Sequence, residues 1–352
     1  MTYNHKTQNE KSSILLIYTG GTIGMKQDPK DLTLKPFDFE QILDEAPELR
    51  KFAYRIDTYT FDPLIDSSDV EPMQWKQLVE VIEDKYDDYD GFVILHGTDT
   101  MAYTASVVSF MIEGLGKPVI FTGSQLPIGV PRTDGKENLI SSVEIAAAKD
   151  ADGNALVPEV CICFDNLLMR GNKTTKDSSD NFRAFQSWNC PPLAEAGISI
   201  RYNTPEIRKP ADWKARPVFH KELDTRVSIL KIHPGITPQV VKDILCGSST
   251  RAVILETYGS GNVPCKEWFI NLIHEAAESG KVLLNVTQCP KGSVNMDIYT
   301  GGKALKDAGV ISGHDMTTES ALGKLFYLMG TFPENEEVKK RLECNLRGEI
   351  SN

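Results

Sequence analysis

The sequence predicts an α/β protein of two domains, each built on a largely parallel β-sheet flanked by helices. Two observations support this fold class. Short apolar runs alternate with helical patterns along the chain, which is typical of parallel sheets covered by helices. The 352 residues are also too many for one typical domain, and they suffice for two domains that each have a core.

In the first half of the chain, four short runs are apolar on both strand faces, which indicates buried parallel strands. These runs cover residues 14–18, 92–95, 119–121 and 160–164. Apolar residues at helical spacing predict a helix from Trp75 to Tyr86. Further helices are predicted from Thr100 to about Glu113 and over residues 136–149. Gly114 is suited to end the second of these helices.

The alternation stops at residues 197–225, where three prolines and mixed charges predict a connection between domains. It resumes with the strand-like runs "VSILKI", "AVILET" and "VLLNVT". Helices are predicted there near residues 238–246, 266–279 and 317–329. We therefore predict four parts: a flexible tail (1–11), a larger domain with the catalytic loops (12–196), the linker (197–225) and a smaller domain (226–352).

Composition excludes several classes of function. The net charge of −11, without a cluster of Lys and Arg, argues against binding nucleic acid. The apolar runs are too short to cross a membrane, and the N-terminus lacks the apolar segment of a secretory signal. The seven cysteines are scattered and form no CxxC pair, so we expect free thiols, no metal site and a cytoplasmic location.

The loops that follow the predicted strands hold the residues with chemical potential. Ligands bind outside the carboxyl ends of parallel strands, so these loops should share one edge of the sheet. The first three strands are followed by "TGGTIG", "HGTDTM" and "TGSQLP", and "DPLIDSSD" precedes the helix that contains Trp75. Each loop is rich in hydroxyls, glycine or carboxylates, which predicts a polar ligand site at this edge.

The loop "TGGTIG" has three interpretations. It could be a glycine turn capped by threonines, or a phosphate-binding loop, although neither GxGxxG nor GxxxxGK[ST] fits. In the third interpretation Thr22 is a nucleophile, since the glycines allow a sharp turn and close approach of a substrate. Threonine then needs a base. A buried lysine can serve as one, and Lys173 or Lys176 is a candidate, although on spacing alone each is a solvated lysine.

The other loops have simple structural interpretations as well. Asp99 and Thr100 suit a helix N-cap, "DSSD" suits a turn, and His96 suits a structural hydrogen bond. Two threonines, paired serines, an aspartate and a lysine nevertheless fall on loops expected at one sheet edge. This coincidence favours a catalytic site.

Several motifs together resemble the bacterial L-asparaginases, specifically the cytoplasmic type I branch. In the first domain these are "YTGGTIG", "DSSD", "GFVILHGTDTMAYTA", "GKPVIFTGSQ" and "GNKTTK". In the second they are "IHPGI", "YGSGNVP", "TQC", "GSVNM" and "NLRGE", so that the resemblance runs from Ser12 to Glu349. It implies a threonine amidohydrolase that hydrolyses L-asparagine without metal or cofactor. It also implies a homotetramer of close dimers, in which the second domain of one protomer lines its partner's site.

The resemblance assigns four catalytic residues. Thr22 would attack the side-chain amide carbon, release ammonia and leave a β-aspartyl ester that water hydrolyses. Thr98 would activate the nucleophile or the water, Lys176 would tune proton transfer, and Asp99 would bind the α-amino group. Backbone N–H groups near Thr98 would stabilise the oxyanion.

The substrate-binding residues that the resemblance implies include the paired serines, which would hold the α-carboxylate. The full set is Ser67, Ser68, Asp69, Thr98, Asp99 and Ser124. One departure concerns a mobile-loop tyrosine, which the family usually has about ten residues after the nucleophile. Leu32 stands near that place, and no tyrosine occurs in residues 26–40.

Three other functions remain open on the sequence. The chain could hydrolyse both asparagine and glutamine, or it could bind asparagine without turnover. It could also resemble the asparaginase-like component of the archaeal transamidosome, although that protein has a substantial extra N-terminal domain, and only about a dozen residues precede the first predicted strand here. Thr22, Thr98 and Lys176 together favour an enzyme. The sequence sets neither the preference for asparagine over glutamine nor the presence of an effector site.

Overall fold

The computed structural model describes residues 12–27, 34–36 and 45–351. The predicted tail of residues 1–11 and the position of Leu32 lie outside this part of the chain. The described residues contain no helix that is both long and apolar enough to span a membrane.

The described residues up to Phe219 form fourteen strands and three helices. The strands are β1 (Ser13–Tyr18), β2 (Met25–Gln27), β3 (Leu34–Pro36), β4 (Arg55–Thr60), β5 (Gly91–Leu95), β6 (Ile112–Glu113), β7 (Val119–Thr122), β8 (Val160–Phe164), β9 (Leu167–Arg170), β10 (Thr175–Lys176), β11 (Phe185–Gln186), β12 (Ala194–Ala196), β13 (Ile200–Tyr202) and β14 (Val218–Phe219). The helices are α1 (Pro72–Lys85), α2 (Met101–Met111) and α3 (Gly135–Ala147). The four predicted strands and three predicted helices are all present.

Eight of these strands form the main sheet, in the order β13-β12-β9-β8-β7-β5-β1-β4. The five strands from β8 to β4 are parallel, which agrees with the predicted parallel sheet, although β4 itself was not predicted. The other three are antiparallel, and the sequence did not reveal them. Asp165 and Asn166 make the first reversal because both have positive φ (47° and 64°), which suits a tight hairpin between β8 and β9.

Two predicted boundaries differ from the structure. Helix α2 ends at Met111 rather than Glu113, because Ile112 and Glu113 form β6 and pair antiparallel with β14. The predicted linker, 197–225, contains β13 and β14, and both pair with strands of the first domain. The domain boundaries themselves stay a prediction.

The second domain is a four-stranded parallel sheet with five helices in the described residues. Its strands are β15 (Val227–Lys231), β16 (Ala252–Thr257), β17 (Val282–Thr287) and β18 (Ile311–Ser312), in that order. Its helices are α4 (Pro238–Leu245), α5 (Glu267–Glu278), α6 (Thr300–Asp307), α7 (Thr318–Thr331) and α8 (Asn335–Leu342). The three predicted strands and three predicted helices are confirmed, whereas β18, α6 and α8 were missed.

The two domains meet where helix α2 packs against helix α7. A Cβ atom added to Gly323 would lie 3.1 Å from the backbone nitrogen of Val107, so the two helices approach closely. Further along, the rings of Phe110 and Tyr327 stack with centroids 6.4 Å apart. Since α2 begins just after the loop that follows β5, this contact places the start of α7 near the candidate site.

Candidate active site

The loop after β1 is pressed against two other loops, which explains its pair of glycines. Gly20 and Gly21 have positive φ (139° and 95°). A Cβ atom on Gly20 would lie 2.1 Å from the Ile65 carbonyl oxygen, and one on Gly21 would lie 2.6 Å from the Gly97 nitrogen. Only glycine fits both the conformation and the space. The loops that follow β1, β4 and β5 therefore converge, as the sequence predicted for one sheet edge.

Thr22 begins a 3₁₀ turn (Thr22–Gly24) directly after these glycines and is partly exposed. Within the described residues its hydroxyl has no hydrogen-bond partner. Thr19, the other threonine of the loop, is only 5% exposed, and its hydroxyl donates to the Leu95 carbonyl over 2.9 Å. Of these two threonines, Thr22 has the hydroxyl that a ligand can reach.

Lys176 joins Thr98 and Asp99 in one hydrogen-bonded cluster. Its Nζ lies 2.9 Å from Thr98 Oγ1 and 2.6 Å from Asp99 Oδ1. The Lys176 side chain is 19% exposed and that of Asp99 is 65% exposed, so the cluster opens to solvent on the carboxylate side. Strand β10, which carries Lys176, lies far from Thr98 in sequence, and the fold brings the two together.

Lys173, the alternative lysine, has a structural role. It is almost fully buried, and its Nζ lies 2.6 Å from Asp315 Oδ2 and 3.1 Å from the Glu349 carbonyl oxygen. Lys173 therefore forms a buried ion pair with a residue of the second domain. Of the two candidate lysines, this leaves Lys176 to act in catalysis.

The turn Ser67–Asp69, which follows β4, contains one buried and one exposed serine. Ser67 is buried beside Gly97, where an added Cβ atom would lie 2.3 Å from Ser67 Oγ. Its carbonyl oxygen also accepts a 2.6 Å hydrogen bond from the Thr100 hydroxyl. Ser68 is exposed, and both its backbone N–H and its hydroxyl donate to Asp66 Oδ1. Asp69 is exposed at the end of the same turn.

Ser124 and Gln125 follow β7 in the third loop. Ser124 is 2% exposed, and its hydroxyl donates to the Leu126 carbonyl over 2.5 Å, so this hydroxyl stabilises the turn. Its role in substrate binding stays a prediction. Gln125 instead reaches the catalytic cluster, because its Oε1 accepts a long hydrogen bond of 3.4 Å from Thr98 Oγ1. Sequence reasoning missed Gln125, although it stands in the quoted loop "TGSQLP" next to Ser124.

A buried chain of hydrogen bonds supports the loop that carries Thr98. Trp75 Nε1 donates to Thr104 Oγ1 over 3.0 Å, and Thr104 Oγ1 lies 3.1 Å from His96 Nε2. His96 Nδ1 lies 2.7 Å from the Gly97 carbonyl oxygen, which can only accept, so Nδ1 carries the proton and Nε2 accepts from Thr104. Burial lowers the pKa of His96 to about 4, which keeps the ring neutral at neutral pH.

The last hydrogen bond of this series is to the carbonyl of the peptide bond between Gly97 and Thr98. The N–H of Thr98 has no hydrogen-bond partner within the described residues, so it can donate to a ligand. A hydrogen bond to the Gly97 carbonyl polarises the peptide and strengthens that N–H as a donor. Within the same described ranges, no group of three or more His, Cys, Asp or Glu could hold a metal ion.

Comparison with known proteins identifies the family. Residues 13–208 match the family described as "Asparaginase, N-terminal", and residues 226–342 match the "Glutaminase/Asparaginase C-terminal domain". The chain is 45% identical to L-asparaginase 1 of Escherichia coli (strain K12), over 97% of this chain and 99% of that protein. It superposes on the crystal structure of L-asparaginase I from Vibrio cholerae with a TM-score of 0.87 and 42% identity, over 97% and 100% of the two chains.

A more distant relative carries a different name. It is a component of the glutamyl-tRNA(Gln) amidotransferase of Methanopyrus kandleri, and it is 32% identical over 96% of this chain, but the match covers only 75% of that protein. The Escherichia coli and Vibrio cholerae proteins match over nearly their whole length and at higher identity. With both family matches covering most of the chain, we conclude that this protein belongs to the asparaginase family.

Proposed function

We propose that the protein hydrolyses L-asparagine to L-aspartate and ammonia through a threonine acyl-enzyme. One observation carries this proposal: a free hydroxyl on Thr22, in the described part of the chain, shares its sheet edge with a lysine bonded to both Thr98 and Asp99. The names of the Escherichia coli and Vibrio cholerae relatives support the same reaction.

In the proposed first step, Thr22 Oγ1 attacks the carbon of the substrate's carboxamide. The hydroxyl proton is transferred to the amide nitrogen, and the C–N bond breaks. Ammonia departs, and a β-aspartyl ester remains on Thr22. The Thr98 N–H is a donor for the oxyanion that forms during the attack. A fixed donor of this kind typically contributes a factor of about 100 to 1,000 in rate.

The second step hydrolyses the ester. Lys176 and Thr98 form the proton-transfer group, because Lys176 Nζ lies 2.9 Å from the Thr98 hydroxyl and, as a neutral amine, can take the proton of the attacking water through that hydroxyl. Water adds to the ester carbonyl, the bond between that carbon and Thr22 Oγ1 breaks, the proton passes to Thr22 Oγ1, and aspartate is released. Gln125 limits the rotation of the Thr98 hydroxyl by accepting its hydrogen bond.

The head of the substrate is proposed to bind between two loops. The exposed carboxylate of Asp99 pairs with the α-ammonium, and the exposed Ser68 hydroxyl rotates from Asp66 to donate to the α-carboxylate. Ser67, Asp69 and Ser124 keep their predicted roles as neighbouring binding residues. Ser67 and Ser124 are buried, so they would shape the site rather than offer an open hydroxyl.

The decisive assay is ammonia release by the purified protein. We expect L-asparagine to be hydrolysed faster than L-glutamine, because one extra methylene displaces the carboxamide from Thr22 and such a displacement can cost about 100-fold in rate. Comparable kcat/KM values for the two amides would instead indicate a mixed asparaginase and glutaminase. Saturable binding of asparagine without ammonia release would indicate a binding protein and contradict the proposed function.

We also propose a homotetramer in which a partner's second domain lines the site, and a cytoplasmic location. The loop Tyr258–Pro264 is the proposed wall. Sedimentation should show a tetramer or at least a dimer, and specific activity should fall on dilution through the dissociation range. A fully active monomer would contradict the shared site.

A further inference from the structure

The segment that carries Lys176 is tied to the second domain at two points. Lys173 Nζ lies 2.6 Å from Asp315 Oδ2, and Thr175 Oγ1 donates to Glu319 Oε1 over 2.5 Å. Asp315 precedes helix α7, and Glu319 lies in its first turn. Both contacts therefore connect the first domain to the start of one helix in the second.

Thr175 and Lys176 are consecutive residues of strand β10, so their side chains lie on opposite faces. On one face Thr175 contacts Glu319, and on the other Lys176 reaches Thr98 and Asp99. Strand β10 pairs only with the two-residue strand β11 in the described structure. Such a short pair is not stable on its own, so its position depends on contacts with the rest of the protein.

Glu319 is held in a fixed position, so it can in turn fix the position of Thr175. This residue is 8% exposed, and the start of α7 is capped by the Thr317 hydroxyl, which accepts from the Ser320 N–H. A carboxylate in the first turn of a helix also interacts favourably with the helix dipole. Helix α7 in turn packs closely on α2 through Gly323.

Helix α2 begins directly after Thr98 and Asp99. The loop that carries Thr98 and Asp99 leads into α2, and Glu319 of α7 holds the strand that carries Lys176. The packed pair of α2 and α7 therefore positions all three residues. Both sides of the proton-transfer cluster are set by the same rigid unit.

We propose that Glu319 is a positioning residue for the proposed reaction: by holding Thr175 it keeps Lys176 within hydrogen-bond reach of Thr98 and Asp99. This inference rests on the proposed function. Its consequence is that the second domain controls the proton-transfer step within its own chain. Of the groups proposed to bind the head of the substrate, Asp99 lies in the loop before α2 and Ser68 in the turn Ser67–Asp69, and neither is held by Thr175. Loss of the Thr175–Glu319 contact should therefore change kcat more than KM.

The test uses Thr175→Val and Glu319→Ala, which break the contact from either side in the full-length protein. A displacement of about 1 Å can cost about 100-fold in rate, so we expect kcat for asparagine to fall between about 10-fold and 100-fold, with KM changed less than about twofold. The double variant should be no slower than the worse single variant, because both remove one interaction.

Two further variants separate positioning from general loosening. Glu319→Gln keeps an oxygen acceptor for Thr175 and should retain most of the wild-type kcat. Burial raises the pKa of Glu319, and glutamine keeps the size of the side chain and one acceptor oxygen. Thr318→Val is the matched control: it removes a 2.6 Å hydroxyl–carboxylate bond to Glu256 at the adjacent residue and should leave kcat within about twofold of the wild type.

Several results would overturn the inference. These are an unchanged kcat in folded Thr175→Val and Glu319→Ala, an equal loss in Thr318→Val, or a Glu319→Gln variant as slow as Glu319→Ala. If Glu319→Ala does not fold, Thr175→Val decides, since it only replaces a hydroxyl with a methyl group of similar size. A wild type that releases no ammonia contradicts the proposed function, whereas an active wild type with unaffected variants contradicts only the positioning role.

Discussion

The buried His96 should make the folded protein sensitive to mild acid. The residue is 4% exposed and uses Nε2 as an acceptor, so a second proton would both bury a charge and break the hydrogen bond from Thr104. Burial lowers the pKa of His96 from 6.5 to about 4 in the folded protein. The unfolded chain therefore binds a proton at this residue between pH 6.5 and 4, and the folded chain does not.

The sign and size of the effect follow from these two values. Because the pKa is lower in the folded state, the contribution of His96 to stability is complete above pH 6.5 and is lost as the pH falls from 6.5 through about 4. The full shift corresponds to roughly 3 kcal/mol. At pH 5 the loss is about 2 kcal/mol, a large part of the roughly 5–15 kcal/mol that typically stabilises a domain.

The assay compares urea unfolding of the wild type and His96→Gln at pH 7 and pH 5. Glutamine can donate to the Gly97 carbonyl but does not titrate, and the other ionisable groups are common to both proteins. We expect the wild type to lose about 2 kcal/mol more than the variant between the two pH values. Equal pH dependence of the two proteins would refute the reasoning.

Three further predictions concern the site and its supports. Gly21→Ala should cost about 1–3 kcal/mol in urea unfolding and most of the activity, since its Cβ atom would lie 2.6 Å from the Gly97 nitrogen; wild-type values for both would contradict the loop contact. Lys173→Met should cost about 3–5 kcal/mol in the same unfolding assay because it leaves the carboxylate of Asp315 buried without its cation. Thr98→Val and Lys176→Met should each abolish most of the ammonia release, and the double variant should be no slower than the worse single variant because the two residues act as one unit. Losses that multiply in the double variant would show that the two residues act independently.

The parallel part of the fold could be predicted because its signal is local. The run 14–18 is apolar at every position and ends in glycines, and this suffices to place a buried strand and the loop after it. The antiparallel strands β9, β12 and β13 were missed because their pairing joins distant residues and leaves no alternating pattern long enough to detect. Helix α2 was predicted too long for the same reason, since β6 exists only through its partner β14.

The candidate site could be predicted as a set of loops but not as a set of contacts. Thr22 and Thr98 follow parallel strands, so the topology alone places both at the carboxyl-terminal edge of the sheet. The sequence could not choose between Lys173 and Lys176, because burial of the former depends on Asp315, which is more than a hundred residues away. Gln125 was missed because an amide that orients a hydroxyl has no sequence signal of its own.

The most direct test of the central claim is ammonia release from L-asparagine by the Thr22→Ala variant beside the wild type. The hydroxyl of Thr22 has no hydrogen-bond partner in the described part of the chain, so its removal should leave the melting temperature nearly unchanged. The account predicts that the wild type releases ammonia and that the variant, although folded, falls to the background rate. Substantial turnover by folded Thr22→Ala would contradict the assignment of Thr22 as the nucleophile.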